Sequence, residues 1–133
     1  MLKKTITYTD YNGNERTEDF YFNLSKAELT EWDFLENGGL VDKFTKISNA
    51  KDMAEIYKAF KSVLQKAYGV KSDDGKRFMK SDELFRAFEE SEAYSELIMD
   101  LLSNEQKALD FVNGLANIKD IEKALENKQK QEA

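Results

Sequence analysis

The sequence contains no cysteine, no histidine and no proline among its 133 residues. Without cysteine or histidine, the usual zinc sites, cysteine nucleophiles, Ser-His-Asp triads and histidine acid–base catalysis are excluded. Disulfide bonds are excluded as well, so nothing in these residues depends on an oxidising compartment. The sequence therefore points away from the common catalytic classes and towards a protein of a reducing cytoplasm.

Positive charge and long apolar runs are also scarce. Asp and Glu number 26 against 20 Lys and Arg, which gives a formal net charge of -6. Binding to phosphate backbones or to anionic lipids needs a basic surface, so neither nucleic acid nor a membrane is an expected partner. No apolar run approaches the ~18 residues of a membrane helix, and the N-terminal MLKKTITYTD lacks the apolar region of a signal peptide.

What the sequence does contain begins with a β-hairpin. Residues 3–9 and 16–23 are rich in Thr, Tyr, Phe and Ile, and the dipeptide Asn12-Gly13 lies between them. Asn-Gly favours a type I′ turn, because both central residues of that turn have positive φ. An isolated hairpin is marginal in water, so we expect this one to pack on helices or to pair with another chain.

Capping residues and apolar spacing predict helices in the rest of the chain. Ser25 and Glu28 fit a capping box at the start of a helix that Gly38-Gly39 ends. The apolar stripe of this helix comprises Leu29, Trp32, Phe34 and Leu35. Further helices are predicted over 40–48 and 50–68, the second ending at Gly69, and a polar loop follows at 70–80. The later helix starts are marked by Ser81 or Asp82, by Ser91, and by a capping box at Ser103-Asn104-Glu105-Gln106.

These elements define an α+β fold that is mostly helical, with an N-terminal two-stranded β-hairpin followed by five to seven short packed α-helices. Residues 1–116 are predicted to form a single compact domain, with the hairpin at 3–23 and the helices at 25–116. Residues 117–133 carry balanced charges and few apolar side chains, which predicts a charged helical or frayed C-terminal tail.

Two acidic segments superficially resemble metal or phosphate sites. Glu89-Glu90-Ser91-Glu92 fits a junction between helices better than a calcium loop, in which oxygen ligands alternate around a fixed glycine. Residues 72–76 lack the spacing of a phosphate loop and of an EF-hand, and they indicate an exposed turn. The sequence thus predicts no catalytic, cofactor-binding or metal-binding residues, and we do not expect an enzyme.

Aromatic side chains on the hairpin are candidates for contacts with a protein partner. Phe20 and Phe22 share one face of the second strand and are assigned to the core. For Tyr8, Tyr11 and Tyr21 two interpretations stay open, namely contact with a partner or packing on the helices. Aromatic residues are enriched at the centres of interfaces, which favours the first interpretation, whereas a hairpin that rests on helices favours the second.

The second half of the chain resembles a known protein family. The resemblance rests on YGVKSDDGKRFMKS at 68–81, LFRAF at 84–88 and SEAYSEL at 91–97. These segments are similar to the tail assembly chaperones of long-tailed bacteriophages and their prophages. The opening NGNERTEDFYFNLSKAEL also resembles the hairpin and first helix of that family, so the likeness covers residues 5–115.

The resemblance implies a non-enzymatic chaperone that binds the tape-measure protein and keeps it soluble before the tail-tube protein polymerises around it. Such a protein self-associates, contacts the tail-tube protein as a possible second partner, works in the cytoplasm of the bacterial host and is absent from the mature virion. The family pattern adds Arg77, Phe78, Met79 and Lys80 as candidate partner-binding residues. For Phe78 and Met79, packing of the loop onto the core is the alternative.

Two other functions remain open from the sequence. The first is a small prophage-encoded regulatory or inhibitory module that binds a host protein. The second is a metal-dependent hydrolase that uses Asp and Glu alone, although with 26 acidic residues a suitable pair would occur by chance.

Overall fold

The computed structural model describes residues 1–36, 38–49 and 51–115. In chain order the elements are β1 (Leu2–Thr9), β2 (Glu15–Phe22), α1 (Lys26–Leu35), α2 (Gly39–Ser48), α3 (Met53–Ala67), β3 (Tyr68–Lys71), β4 (Phe78–Met79), α4 (Asp82–Glu89), α5 (Glu92–Leu101) and α6 (Glu105–Leu115). This order confirms the predicted α+β class, an N-terminal hairpin followed by helices. The predicted tail at 117–133 lies outside the described residues.

The first hairpin turns through Asp10, Asn12, Gly13 and Asn14. The Gly13 amide donates to the Asp10 carbonyl at 3.0 Å, and the Asp10 amide donates to the Asn14 carbonyl at 2.9 Å. Gly13 has a φ of 82°, whereas Asn12 does not have a positive φ. The predicted turn position is correct but the type I′ geometry is wrong, because a three-residue loop with one left-handed residue replaces the two-residue loop. The Asp10 carboxylate fixes this loop by accepting bonds from the Asn12 and Asn14 amides.

The sheet is larger than the hairpin. Its four strands are all antiparallel in the order β1-β2-β3-β4, and β2 meets β3 at the pairs Tyr21–Gly69 and Phe22–Tyr68. The prediction of a continuous polar loop at 70–80 is therefore wrong at both ends of that segment. Gly69 lies inside β3 instead of ending α3 in a left-handed conformation. The added strands support the hairpin, which two strands alone would not.

Side-chain caps begin two helices where the sequence places them. The Ser25 hydroxyl accepts from the Glu28 amide at 3.1 Å, and the Glu28 carboxylate accepts from the Ser25 amide at 3.0 Å, which confirms the capping box. Ser81 caps α4 by accepting from the Leu84 amide at 3.0 Å. Each such cap contributes about 1 kcal/mol by satisfying an amide that has no partner within its helix.

Three other predicted boundaries differ in detail. Gly38 is the N-cap of α2, and α1 ends before it at Leu35. Ser91 is the N-cap of α5, but its hydroxyl donates to a carbonyl of the preceding helix instead of capping. At α6 the capping acceptor is Asn104, one residue later than the predicted Ser103. The Asn104 side chain accepts a hydrogen bond from the Lys107 amide at 2.8 Å and so satisfies an amide in the first turn of α6.

Aromatic rings join the inner face of the sheet to the helices. Phe22 is fully buried, and its ring centroid lies 5.1 Å from that of Phe111 and 5.9 Å from that of Phe88. Tyr68, the partner of Phe22 across the sheet, stacks on Phe88 with centroids 4.5 Å apart. Because β2, β3, α4 and α6 each contribute a ring, this aromatic cluster holds the two layers together.

Removal of the Phe22 ring is expected to lower the free energy of unfolding by about 3–5 kcal/mol, because Phe22→Ala leaves a cavity among rigid neighbours. Urea unfolding followed by circular dichroism measures this value. Met99→Ala is the matched control, since that side chain is 73% exposed, and it should change stability by less than about 0.5 kcal/mol. A loss below about 1 kcal/mol at Phe22 would contradict the central role of its ring.

Candidate partner-binding surface

The outer face of the sheet points away from the aromatic cluster. Side chains alternate between the two faces of a strand, so the exposed Thr5 and Thr7 lie on the face opposite Ile6, which is buried. The Thr5 hydroxyl donates to the Asp19 carboxylate at 2.6 Å, and the hydroxyls of Thr7 and Thr17 lie 3.0 Å apart. These cross-strand pairs keep the first hairpin in register and leave a polar surface.

The strand pairing brings two predicted site residues, Tyr21 and Phe78, close together on this outer face. Tyr21 pairs with Gly69, and the ring of Phe78 covers Gly69 from the other side. A Cβ atom at Gly69 would lie only 2.7 Å from the Phe78 ring, so this position requires glycine. The Lys71 ammonium lies 4.2 Å from the Tyr21 ring centroid. The result is a half-exposed aromatic strip with a cation beside it.

Arg77 lies next to this strip in the turn between β3 and β4. Its amide donates to the Ser72 hydroxyl at 2.9 Å, and its carbonyl accepts from the Ser72 amide at 2.8 Å. The backbone of the turn is therefore fixed while the side chain is exposed. Within the described ranges, the Arg77 guanidinium enters no ion pair or hydrogen bond.

Tyr8 and Met79 lie on the inner face of the sheet. The Tyr8 ring centroid is 6.4 Å from that of Phe20, and its hydroxyl donates to the Glu18 carboxylate, which raises the pKa of Tyr8. Met79 pairs with Val70, and both are half-buried. The structure thus places these two candidates on the face of the sheet opposite Tyr21 and Phe78.

Tyr11 lies at the tip of the first hairpin. Its side chain is 76% exposed, and its hydroxyl donates to the Glu90 carbonyl at 3.2 Å. This bond ties the tip of the hairpin to the end of α4. Tyr11 is therefore both accessible and fixed, although it lies apart from the aromatic strip.

Lys80 connects several segments of the fold. Its ammonium donates to the Asn23 and Lys66 carbonyls, each at 2.7 Å, and to the Glu28 carboxylate. It thereby connects the end of β4 to the loop after β2, to α1 and to the end of α3. Burial by itself would raise the pKa of Glu28, but the bonds from Lys80 and Ser25 outweigh burial and lower that pKa.

The predicted apolar stripe of α1 is only partly covered. Trp32 is buried, whereas Phe34 and Leu35 of the same stripe are 83% and 84% exposed. Beside them lies a groove of about 270 Å³ between α1, the end of α3 and the start of α4. We call it the α1 groove; its lining includes Leu24, Glu31, Trp32, Leu35, Lys66 and Asp82. Apolar spacing marks a stripe but does not show whether a neighbouring element covers it.

The acidic segment at 72–76 has an ordinary structural role. The Asp74 carboxylate accepts from the Lys76 amide and the Ser72 hydroxyl, and these bonds lower the pKa of Asp74 and close the second turn. In the part of the chain that the structure describes, no three Asp or Glu side chains are grouped as metal ligands. None of the helices there is long and apolar enough to cross a membrane.

Comparison with known proteins gives one match. The family model described as phage tail assembly chaperone matches residues 1–133. Neither the curated proteins nor the solved structures include a significant match to this chain.

Glu28 is expected to make the fold sensitive to acid. Its folded-state pKa lies below the ordinary value of 4.5, so its stabilising contribution is present above pH 4.5 and is lost as the pH falls through the folded-state pKa. Glu28→Gln removes this titration, and the free energy of unfolding should then fall less steeply between about pH 5 and pH 3. Urea unfolding at successive pH values measures the slope.

The exposed Glu96 supplies the control for this acid effect. Glu96→Gln should change the free energy of unfolding by less than about 0.5 kcal/mol, because no partner in the described residues holds that carboxylate. Parallel slopes for Glu28→Gln and the wild type would contradict the role assigned to the bond between Lys80 and Glu28.

Proposed function

The chain belongs to the phage tail assembly chaperone family, and we propose that it binds the tape-measure protein and keeps it soluble until the tail tube polymerises around it. The observation that carries this proposal is the match of the family over the full range 1–133. Membership suggests a non-enzymatic role that is exercised through protein partners in tail assembly. We further propose that the protein acts in the host cytoplasm, self-associates and is absent from the finished virion.

The physical properties of the chain support a holding role. A protein that covers apolar helices must offer apolar surface without aggregating, and a net charge of -6 opposes self-aggregation through mutual repulsion. Large apolar side chains are nevertheless exposed in the described residues, among them Tyr11, Phe34 and Leu35. Combined acidity and apolar exposure suit a soluble carrier of an insoluble client.

Among the sequence-predicted residues, we propose that Tyr21, Arg77 and Phe78 contact the client directly. All three lie on or beside the outer face of the sheet; Arg77 is exposed, and Tyr21 and Phe78 are half-buried. Tyr8, Tyr11, Met79 and Lys80 stay predictions as partner-binding residues, and we expect their main effect to come through the positions of the strands and turns that they fix.

Co-expression with the tape-measure protein of the same phage tests the proposed function. The wild-type chain is expected to increase the soluble fraction of the tape-measure protein severalfold and to co-purify with it, because apolar client surface is covered. Tyr21→Ala combined with Arg77→Ala should reduce the amount retained, while Met99→Ala should leave it unchanged. A tape-measure protein that is equally insoluble with and without the wild-type chain would refute the proposal.

A further inference from the structure

We propose that the α1 groove and the exposed end of α1 form the docking site for an amphipathic helix whose apolar side is bordered by lysine or arginine. The proposal rests on the proposed function for the source of that helix, the tape-measure protein. The surface and the chemistry of its ligand are argued independently, from exposure, shape and charge.

The apolar part of the site is unusually open. Phe34 and Leu35 are adjacent in sequence and are 83% and 84% exposed, more than the other large apolar side chains in the described residues. Glu31 lies three and four positions before them, so the three residues share one face of α1. A single exposed apolar side chain is ordinary, but two together beside a groove form a patch that favours contact with a partner.

The α1 groove is preformed. Trp32 forms its base and is fixed, because its indole N–H donates to the Glu36 carboxylate at 2.9 Å. The Lys66 ammonium lies 5.0 Å from the Trp32 ring centroid and covers the ring from the α3 side. The base of the groove is therefore ordered before a ligand enters, and binding loses little free energy to rearrangement.

The charge around the patch selects a basic ligand. Glu31 and Asp82 line the groove and Asp33 lies beside the patch, and none of the three carboxylates enters an ion pair in the structure as far as it is described. Of the two lysines in the lining, Lys80 is paired with Glu28 and the Lys66 ammonium lies over the Trp32 ring, so the carboxylates remain in excess. The last turn of α1 carries no basic residue, so the negative end of the helix dipole adds to these carboxylates. Lysine or arginine beside an apolar helix face would complement this surface, whereas acidic flanks would be repelled.

The same charge argues against a second copy of the chain as the occupant. Two copies that met through this patch would bring their carboxylates and their helix C-termini together, which is unfavourable. A helix laid in a groove instead presents anchors at positions i, i+3, i+4 and i+7, and it can bury Phe34 and Leu35 while its flanking cations reach Glu31 and Asp33.

Two designed peptides of about 20 residues test this site; both carry the same leucine face, bordered by lysine in one and by glutamate in the other. Fluorescence anisotropy of the labelled peptides measures binding to the full chain. The lysine peptide is expected to bind at least about tenfold more tightly, and its advantage should shrink between about 50 mM and 500 mM NaCl because salt screens exposed charges.

Matched variants locate the binding. Phe34→Ser combined with Leu35→Ser should weaken the lysine peptide at least about tenfold, because the apolar contact is lost. Glu31→Lys combined with Asp33→Lys should remove most of its advantage over the glutamate peptide. Met99→Ser and Glu96→Lys change equally exposed residues of α5 and should bind like the wild type. Circular dichroism checks that each variant remains folded.

Three outcomes would overturn the proposal. The first is equal affinity for the two peptides, and the second is wild-type affinity in the Phe34/Leu35 double variant. The third is that the double variant changes only the self-association of the chain, measured by sedimentation. Retention of the tape-measure protein decides the proposed function separately. Peptide binding that follows the expected pattern without retention of the tape-measure protein would support the docking site and refute the proposed client. Equal retention by the wild type and the Phe34/Leu35 variant would overturn the docking site alone.

Discussion

The packing of Phe22 against rings from the helices is the contact on which the rest of the structure depends. The inner face of the hairpin carries aromatic rings, and contact with Phe88 and Phe111 helps to remove the Phe22 ring from water. Burial of such rings supplies a large share of the folding free energy of a domain of this size. Once the inner face is fixed, the alternation of side chains determines that Tyr21 faces outwards.

Polar contacts then set the edges of this framework. The Lys80 ammonium reaches two backbone carbonyls and the Glu28 carboxylate, so that it satisfies groups from several segments at the place where they meet. Such a half-buried polar contact stabilises the fold when all of its members are paired. Lys80, which the sequence predicts as a partner contact, also lines the α1 groove and fixes one of its walls.

Local signals explain which parts of the fold could be predicted. The Asn12-Gly13 turn and the capping box of Ser25 and Glu28 lie within a few residues, and their chemistry is readable in a single sequence. The strands β3 and β4 were missed because runs of four and two residues are too short to show alternation. β3 pairs with the distant strand β2, and β4 pairs with β3. No local sequence pattern indicates the first of these pairings.

The same difference between local signals and long-range pairing applies to the candidate site. The aromatic composition of the hairpin pointed to Tyr21 and the family pattern pointed to Phe78, but only the strand register places them on the two sides of Gly69. Phe34 and Leu35 belong to the apolar stripe that the sequence of α1 predicts. Whether a helical face is covered depends on the path of other elements, and α2 leaves the end of α1 open.

The strand pairing also has a consequence for biosynthesis. Phe22 pairs with Tyr68 and packs on Phe111, so its contacts span most of the described chain. Closing such long loops is entropically costly before the contacts form, which slows folding compared with a bundle of local helices. On the ribosome the hairpin emerges first with its aromatic face uncovered, and it can complete its packing only after α6 has been synthesised. Translation therefore leaves the aromatic rings of the hairpin uncovered until most of the chain has been made.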